Sequence, residues 1–373
     1  DINEDGEFAE RSAGNYNQVN DDQMIRLFIA TGEKRFLEAS KANLEMMFDY
    51  IEPDDSVFTN NSTRQDNGKK VYLNTYYILF LLTGYLLKDK KLARAAEYMY
   101  QTSRKHGIVP NGIEWLLLYD DLDGYGDEES FDLAKVEHYS RVFPASRIAR
   151  TRNGNYSWTM MENRPNFLYF QSGALTMYLV IYSNICDRRH FLGEKIETIE
   201  NGYAMKSHAA GWYYKPFWPN LPATSDWWAM DNPHTRERVQ GLPLDTCVKV
   251  TDTGDGIDVA ITTTGIDRLP FRVEAGILPC RVRGEQFLMD GKAGASIVLM
   301  NGMVEMTNAA GDTITLSPGF CEHGMLWRST ESYPQSPDHF TIYMTDFTPI
   351  DRVIHIGAKP VMSPELRGSS KRD

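Results

Sequence analysis

Thr246-Cys247-Val248-Lys249-Val250-Thr251-Asp252-Thr253-Gly254-Asp255-Gly256-Ile257-Asp258-Val259-Ala260-Ile261-Thr262 is the stretch whose reading decides the fold class of this chain. Val248 and Val250, then Ile257, Val259 and Ile261, alternate with polar residues, the period of a strand with one buried face. Between them Thr253-Gly254-Asp255-Gly256 has the chemistry of a hairpin turn. Phe271, Val273 and Ala275 continue the alternation, and Ser296–Met300, Met303–Met306, Thr313–Leu316 and Phe340–Thr345 read as further short strands. Ala309-Ala310-Gly311-Asp312 is a second hairpin turn. Many short strands joined by glycine-containing turns predict an antiparallel β-sandwich over residues 246–373.

Upstream the period becomes helical. Asn20–Asp22 offer N-caps to the apolar run Met24–Ala30, and Phe36, Leu37, Leu44, Met47, Phe48 and Ile51 recur at three- and four-residue spacing. Val71–Leu87 is apolar nearly all round, which predicts an inner helix, and Leu92–Arg104 is amphipathic. Gly32-Glu33-Lys34-Arg35-Phe36 and Lys88-Asp89-Lys90-Lys91-Leu92 place short charged turns between helices, and Asp187-Arg188-Arg189-His190-Phe191 repeats the pattern. Ile113–Tyr119 and Phe131–Arg141 fill the gap as one more hairpin, and Phe167–Ile185 reads as a second apolar inner helix. Helical units of roughly 50 residues predict a stacked array, a solenoid or an α/α toroid, over residues 1–195. Residues 196–245 are rich in Trp, Pro and Asn and read as an ordered connection between domains. The expected class is α+β and multidomain.

A chain of 373 residues with 42% hydrophobic content can bury a large core. With 39 basic against 51 acidic side chains the net charge is -12, which argues against nucleic acid or a membrane surface as partner, since both are polyanions. A small acidic substrate needs only local arginines and stays open. Val71–Leu87 contains Asn74 and Thr75, and Phe167–Ile185 contains Gln171, Ser172 and Asn184, so neither reads as a membrane span. The 20 Tyr and 7 Trp suit sugar rings as well as ordinary cores. Cys186, Cys247, Cys280 and Cys321 form no CxxC pair and read as buried thiols. No phosphate-cradling loop, zinc signature or nucleophile elbow is present, and no cofactor is required. Asp120, Asp121, Asp123 and Asp127 with Gly124 and Gly126 admit a structural divalent cation, although their spacing is not that of an EF-hand. The chain opens at Asp1 rather than methionine, as after processing or where a longer chain has been cut, and the expected location is secreted or periplasmic.

Helical repeats followed by an antiparallel sandwich resemble the polysaccharide lyases built from an α/α toroid and a β-sandwich, the heparinase II/III-like and chondroitin/hyaluronate lyase-like enzymes among them. Gly265-Ile266-Asp267-Arg268-Leu269-Pro270-Phe271-Arg272-Val273-Glu274 is similar to a sandwich strand of such proteins. Asp5-Gly6-Glu7-Phe8 with Glu10-Arg11, and Ser62-Thr63-Arg64-Gln65-Asp66, are similar to loops feeding toroid helices. Fewer hairpins fit before residue 195 than a full toroid uses. The resemblance implies β-elimination on a uronate-containing polysaccharide or oligosaccharide.

That chemistry requires a group that neutralises the uronate carboxylate, a base for the C5 proton and an acid for the leaving oxygen. Asn, Arg, Tyr and His clusters supply these. Asn15 and Tyr16, beside Arg11 and Asn17, precede a helix start, and Arg64 is a candidate carboxylate clamp followed by Tyr76 and Tyr77 on the inner helix. Asn163-Arg164-Pro165-Asn166 with Tyr169 heads the other apolar segment, where N-capping is the competing explanation. His234 with Arg236 and Arg238 lies in the connection, as do Trp212 and Trp228. The expected catalytic set is Tyr76, His234, Asn166 and Tyr169. The expected substrate-binding set is Asn15, Tyr16, Arg64, Asn163, Arg236, Trp212 and Trp228, with no metal. Two alternatives remain. A glycoside hydrolase would use paired carboxylates such as Asp66, Asp120, Asp121, Glu162 and Asp231, and a non-catalytic glycan binder would use the 212–228 stretch.

Overall fold

The structure, a computed structural model, describes residues 1–185, 188–217, 221–230, 236–329 and 332–359. Its N-terminal part is helical: α1 (Tyr16–Thr31), α2 (Arg35–Phe48), α3 (Tyr76–Leu87), α4 (Lys90–Lys105) and the single-turn α5 (Ala134–Glu137). The first two charged turns are helical hairpin turns, as expected. Gly32 takes the left-handed conformation after α1 and returns its N–H to Phe28 O at 2.7 Å. Lys88 does the same after α3, and Asp89 caps α4 by accepting from the Leu92 N–H at 3.1 Å. The apolar α3 is buried from Ile78 to Gly84, and α4 turns Leu92, Ala93, Ala96 and Met99 toward it.

Strands begin at residue 138, well before 195. In chain order they are β1 (His138–Phe143), β2 (Ile148–Asn153), β3 (Tyr156–Met161), β4 (Leu168–Ser172), β5 (Leu175–Ile185), β6 (Arg188–His190), β7 (Ile196–Ile199), β8 (Gly202–Ala209), β9 (Trp212–Tyr214) and β10 (Arg238–Gln240). They continue as β11 (Leu244–Asp252), β12 (Gly256–Gly265), β13 (Pro270–Ile277), β14 (Cys280–Gly284), β15 (Leu288–Gly291), β16 (Ser296–Val298), β17 (Val304–Thr307), β18 (Thr313–Ser317), β19 (Phe340–Phe347) and β20 (Asp351–Lys359).

Two nine-stranded sheets result among the described residues. The first runs β1-β2-β3-β4-β5-β13-β19-β16, with β6 beside β5. The second runs β15-β14-β17-β18-β20-β12-β11-β8-β7. Pairing is antiparallel except between β16 and β19. One core lies between them, drawing Trp158, Phe170, Leu179 and Val273 from the first sheet and Val248, Val259 and Ile356 from the second. The hairpin β11–β12 pairs Val248 with Ile261 and Val250 with Val259, which is the register its alternation predicts.

Several expectations are corrected. Phe167–Ile185 is not a helix: Leu168 and Phe170, then Leu175, Met177, Leu179 and Ile181, all enter the sandwich core, so the segment has period two and forms β4 and β5. Phe131–Arg141 supplies only α5 and the start of β1, and Ile113–Leu117 is a 3-10 turn, because Gly112 at positive φ precedes it and Gly124 and Gly126 at positive φ break up the chain between the two. The third charged turn yields β6 rather than a helical hairpin turn, and Cys186 and Asp187 lie outside the described residues. The expected connection 196–245 contains two strands of the second sheet, β7 and β8, along with the small separate hairpin β9–β10. A complete ring of helices is not what these residues form; the N-terminal part is a helical region on a large β-structure.

The helical region is clasped to the outer face of the first sheet. Arg150 on β2 is fully buried and donates to Asp49 O (2.7 Å), Thr159 Oγ1 (2.7 Å), Glu52 (3.0 Å) and Tyr139 Oη (3.1 Å), with the Phe58 ring 4.2 Å from its guanidinium. Phe143, Ile148 and Met161 extend the helical core onto the sheet. A buried charge held by this many partners fixes orientation, because losing any partner leaves the guanidinium unsatisfied. Among the described residues no helix is long and apolar enough to cross a membrane. Cys247, Cys280 and Cys321 are free thiols.

Candidate active site

The same alternation that sends Leu179 and Val273 into the core sends their neighbours to the opposite face. On β4 these are Tyr169 and Gln171, on β5 Tyr178 and Tyr182, on β13 Arg272, Glu274 and Gly276, and on β19 Tyr343. Gly276 sits opposite Tyr178 in the register, and a Cβ there would lie 2.2 Å from Tyr178 Cζ, so glycine is what lets the phenol lie across β13. Residues 321–329 and 332–339 run over this face and add Arg328, Tyr333 and His339.

Tyr169 is the centre of one half. Its hydroxyl oxygen accepts from Asn166 Nδ2 at 2.5 Å, and its ring lies 5.9 Å from that of Tyr178 and 6.0 Å, edge-on, from Phe58 of the helical region. Burial raises the pKa of Tyr169 well above the usual phenol value, against the lowering influence of Asn166 and Arg164. Tyr178 and Tyr333 are raised for the same first reason, and the charge of Arg164 also acts on Tyr333. His339 lies 5.1 Å from the Tyr178 ring, its Nδ1 2.8 Å from Ser336 Oγ, and burial lowers its pKa below the ordinary imidazole value.

The other half is a buried ionic knot. Glu274 accepts from Arg272 Nε at 2.7 Å and from Arg328, and Arg272 lies over the Tyr182 ring at 4.4 Å. His190 of β6 accepts the Tyr333 backbone N–H on Nε2 at 2.8 Å, which leaves its proton on Nδ1. Burial, then the charges of Arg328, Arg272 and Arg189, hold its pKa down at about 4. It is a neutral imidazole at neutral pH. Beside it a cavity of about 140 Å³ is lined by Tyr182, Arg272, Leu269, His323, Met325 and Trp327.

Between this face and the helical region runs a crevice of about 90 Å³, lined by Phe58, Asn60, Lys69, Lys70, Gln171 and Thr176. A larger groove of about 680 Å³ opens at the β1 and β8 edge of the sandwich. Volume alone would favour it, but the phenols and the imidazole with shifted pKa values gather on the β4 and β5 face, which also supplies Gln171 and Thr176 to the smaller crevice, and chemistry follows those groups.

The expected residues divide accordingly. Asn166 and Tyr169 belong to this face. Asn163, at positive φ, makes a turn contact through its N–H to Gly193 O at 2.8 Å, with its side chain exposed. Asn15, Tyr16 and Arg64 gather on the helical region: Arg64 lies over the Tyr16 ring at 4.9 Å and 3.4 Å from Glu10. Tyr76 is a core residue instead, fully buried and donating to Ala13 O at 2.6 Å, with no access to a substrate. His234 lies outside the described residues. Trp212 and Arg236 sit on the β9–β10 hairpin, and Trp228 is 91% exposed. In the acidic loop, Asp121 accepts from Tyr85 Oη at 2.6 Å and Asp127 pairs with Arg94 at 3.0 Å. Among the described residues no three His, Cys, Asp or Glu side chains are grouped as for a metal. Sequence reasoning passed over Tyr178, Tyr333, His339 and Lys69. Tyr178 was signalled by its alternation with Met177 and Leu179, whereas His339 and Tyr333 are brought in by a loop with no local signature.

The sequence matches no protein-family model, and no curated protein matches it. Solved structures do match in shape. A heparinase III gene product has a TM-score of 0.53 at 7% identity, over 96% of this chain and 53% of that one. The heparan sulfate lyase HepC from Pedobacter heparinus has a TM-score of 0.51 at 9% identity, over 97% and 54%. This chain therefore spans about half the length of the structures it matches, and along nearly all of its own length it shares their fold.

Proposed function

We propose that the chain is a polysaccharide lyase-like protein that cleaves a uronate-containing glycan by β-elimination, with the helical region as part of a toroid-like wall of the cleft. The reading rests on one observation above all: phenols, a neutral imidazole and an exposed arginine gather on the face of the first sheet where Tyr169 meets the helical region. Tyr169 is assigned as the acid. Its oxygen already accepts from Asn166, so its own proton is left to donate to the departing glycosidic oxygen. His339 is assigned as the base for the C5 proton, since a lowered pKa keeps its imidazole neutral and able to accept. Arg164, exposed and close enough to influence both Tyr169 and Tyr333, is assigned to the uronate carboxylate, and Lys69 of the adjoining crevice is assigned as a second cation. A polymeric substrate fits a protein acting outside the cytoplasm. The fold shared with two glycan lyases agrees with this reading. The test is ultraviolet absorbance during incubation with a panel of uronate-containing polysaccharides. A rise from the conjugated C4–C5 double bond supports the proposal; new reducing ends without that absorbance replace it with hydrolysis.

A further inference from the structure

The β9–β10 hairpin stands apart from both sheets and pairs only with itself among the described residues. Its register sets Arg238 opposite Tyr214 and Gln240 opposite Trp212, so these side chains share one face. On that face Arg238 lies over the Trp212 ring at 4.2 Å, and Arg236 lies over Tyr214 and over Phe217, each at 4.4 Å. Glu237 points to the other face and pairs with Lys215 at 2.6 Å, away from Arg238. Arg238 is exposed and has no carboxylate partner among the described residues, and Trp212 is 40% exposed. A guanidinium lying over an indole is oriented by the ring while its N–H edge stays available for a two-point contact to a carboxylate or sulfate.

Position adds to the argument. Ala209 ends β8, Leu244 begins β11, and they pack with Ile185, Ile266 and Leu269 at one end of the sandwich. Leu269 also lines the cavity beside Tyr182 and Arg272. The hairpin is thus anchored at the same end of the molecule as that cavity.

We infer that the β9–β10 hairpin is a binding platform for an anionic saccharide chain, contacting its carboxylate or sulfate groups through Arg238 beside Trp212. This rests on the proposed reading of the substrate as an acidic glycan, but it is tested by binding and not by turnover. In the Tyr169→Phe background, calorimetric titration uses oligogalacturonate (carboxylate only), dextran sulfate (sulfate only) and dextran (uncharged). The expected result is binding of at least one anionic polymer and none of dextran, weakened about tenfold by Arg238→Gln and partly restored by Arg238→Lys. Weakening on the carboxylate polymer alone assigns uronate, and on the sulfated one alone a sulfate ester. Thermal melts of each variant verify folding, and Trp212→Ala provides a second, independent lesion of the same face. Equal affinity of wild type and both hairpin variants overturns the inference, as does anion binding no stronger than that of dextran. Failure of the lyase reading looks different: binding persists, and the wild-type protein releases no unsaturated product.

Discussion

Asn166 Nδ2 donates to the Tyr169 hydroxyl oxygen at 2.5 Å, and this contact orients a phenol that packs on both Phe58 of the helical region and Tyr178. Because the amide occupies the oxygen as an acceptor, the phenolic proton must point elsewhere. Tyr169→Phe is expected to lower kcat by roughly 10²–10⁴-fold with little change in Tm, as removal of a general acid does. Asn166→Ala is expected to lower kcat by about tenfold and leave KM nearly unchanged. Steady-state kinetics beside thermal melts check both, and a Tyr169→Phe variant of full activity removes Tyr169 from the mechanism.

His339 predicts the acidic limb of the pH profile. With its pKa lowered by burial, the base is lost only as pH falls below the ordinary imidazole range. The kcat/KM profile is therefore expected to stay flat through neutral pH and drop on the acid side, and His339→Ala is expected to abolish turnover. A profile that already falls between pH 8 and 7 contradicts the assignment.

His190 carries a stability prediction of the same sign. Its folded pKa is about 4, below the unfolded value near 6.5, so the unfolded chain binds the proton first as pH falls. Stability is lost from about pH 6.5 down to about 4, by about 3 kcal/mol from this residue. His190→Gln keeps an acceptor for the Tyr333 N–H and is expected to flatten that part of the curve, as measured by urea unfolding across the window.

Asp21 works in the opposite direction. It is fully buried on α1, and among the described residues neither carboxylate oxygen has a well-formed hydrogen bond, the nearby Ser40 hydroxyl lying 3.3 Å from Thr83 and acting on the carboxyl only as a minor lowering influence. Burial raises its pKa well above the usual carboxylate value. The folded state holds the proton more tightly than the unfolded one, so stability falls as pH rises past the ordinary carboxylate range. Asp21→Asn is expected to stabilise the protein by about 2 kcal/mol at pH 7, with the gain vanishing at low pH. Urea melts at pH 4 and pH 7 measure this; a destabilised variant at pH 7 would mean that the carboxylate is charged and paired.

Gly276→Ala tests the sheet face itself. The new Cβ meets Tyr178 Cζ at 2.2 Å, so the ring must move. A loss of about 1–3 kcal/mol is expected, together with reduced turnover, and Tyr178→Ala in the same chain should relieve the stability part.

Legibility in the sequence followed periodicity. The hairpin around Gly254 and the amphipathic α4 were readable because each has one unambiguous period, and the apolar α3 because charged residues close the run at Lys88 and Asp89. Phe167–Ile185 was misread because both faces of β4 and β5 carry large side chains. Tyr169 faces the helical region, and Tyr178 and Tyr182 lie against His339 and the 323–327 segment, while Leu179 and Ile181 face the sandwich core, and a doubly covered strand looks like a continuous apolar run. That misreading hid most of the site. Asn166 and Tyr169 were found from residue chemistry alone, while Tyr333 and His339 join them only through a loop crossing the sheet.

The most direct measurement of the central claim is product mass after reaction in heavy-oxygen water. Elimination at Tyr169 and His339 adds no solvent oxygen, so the products are expected to carry no label, and the new non-reducing end to be lighter than a hydrolysis product by one water. Incorporation of one labelled oxygen per cleavage would contradict the account.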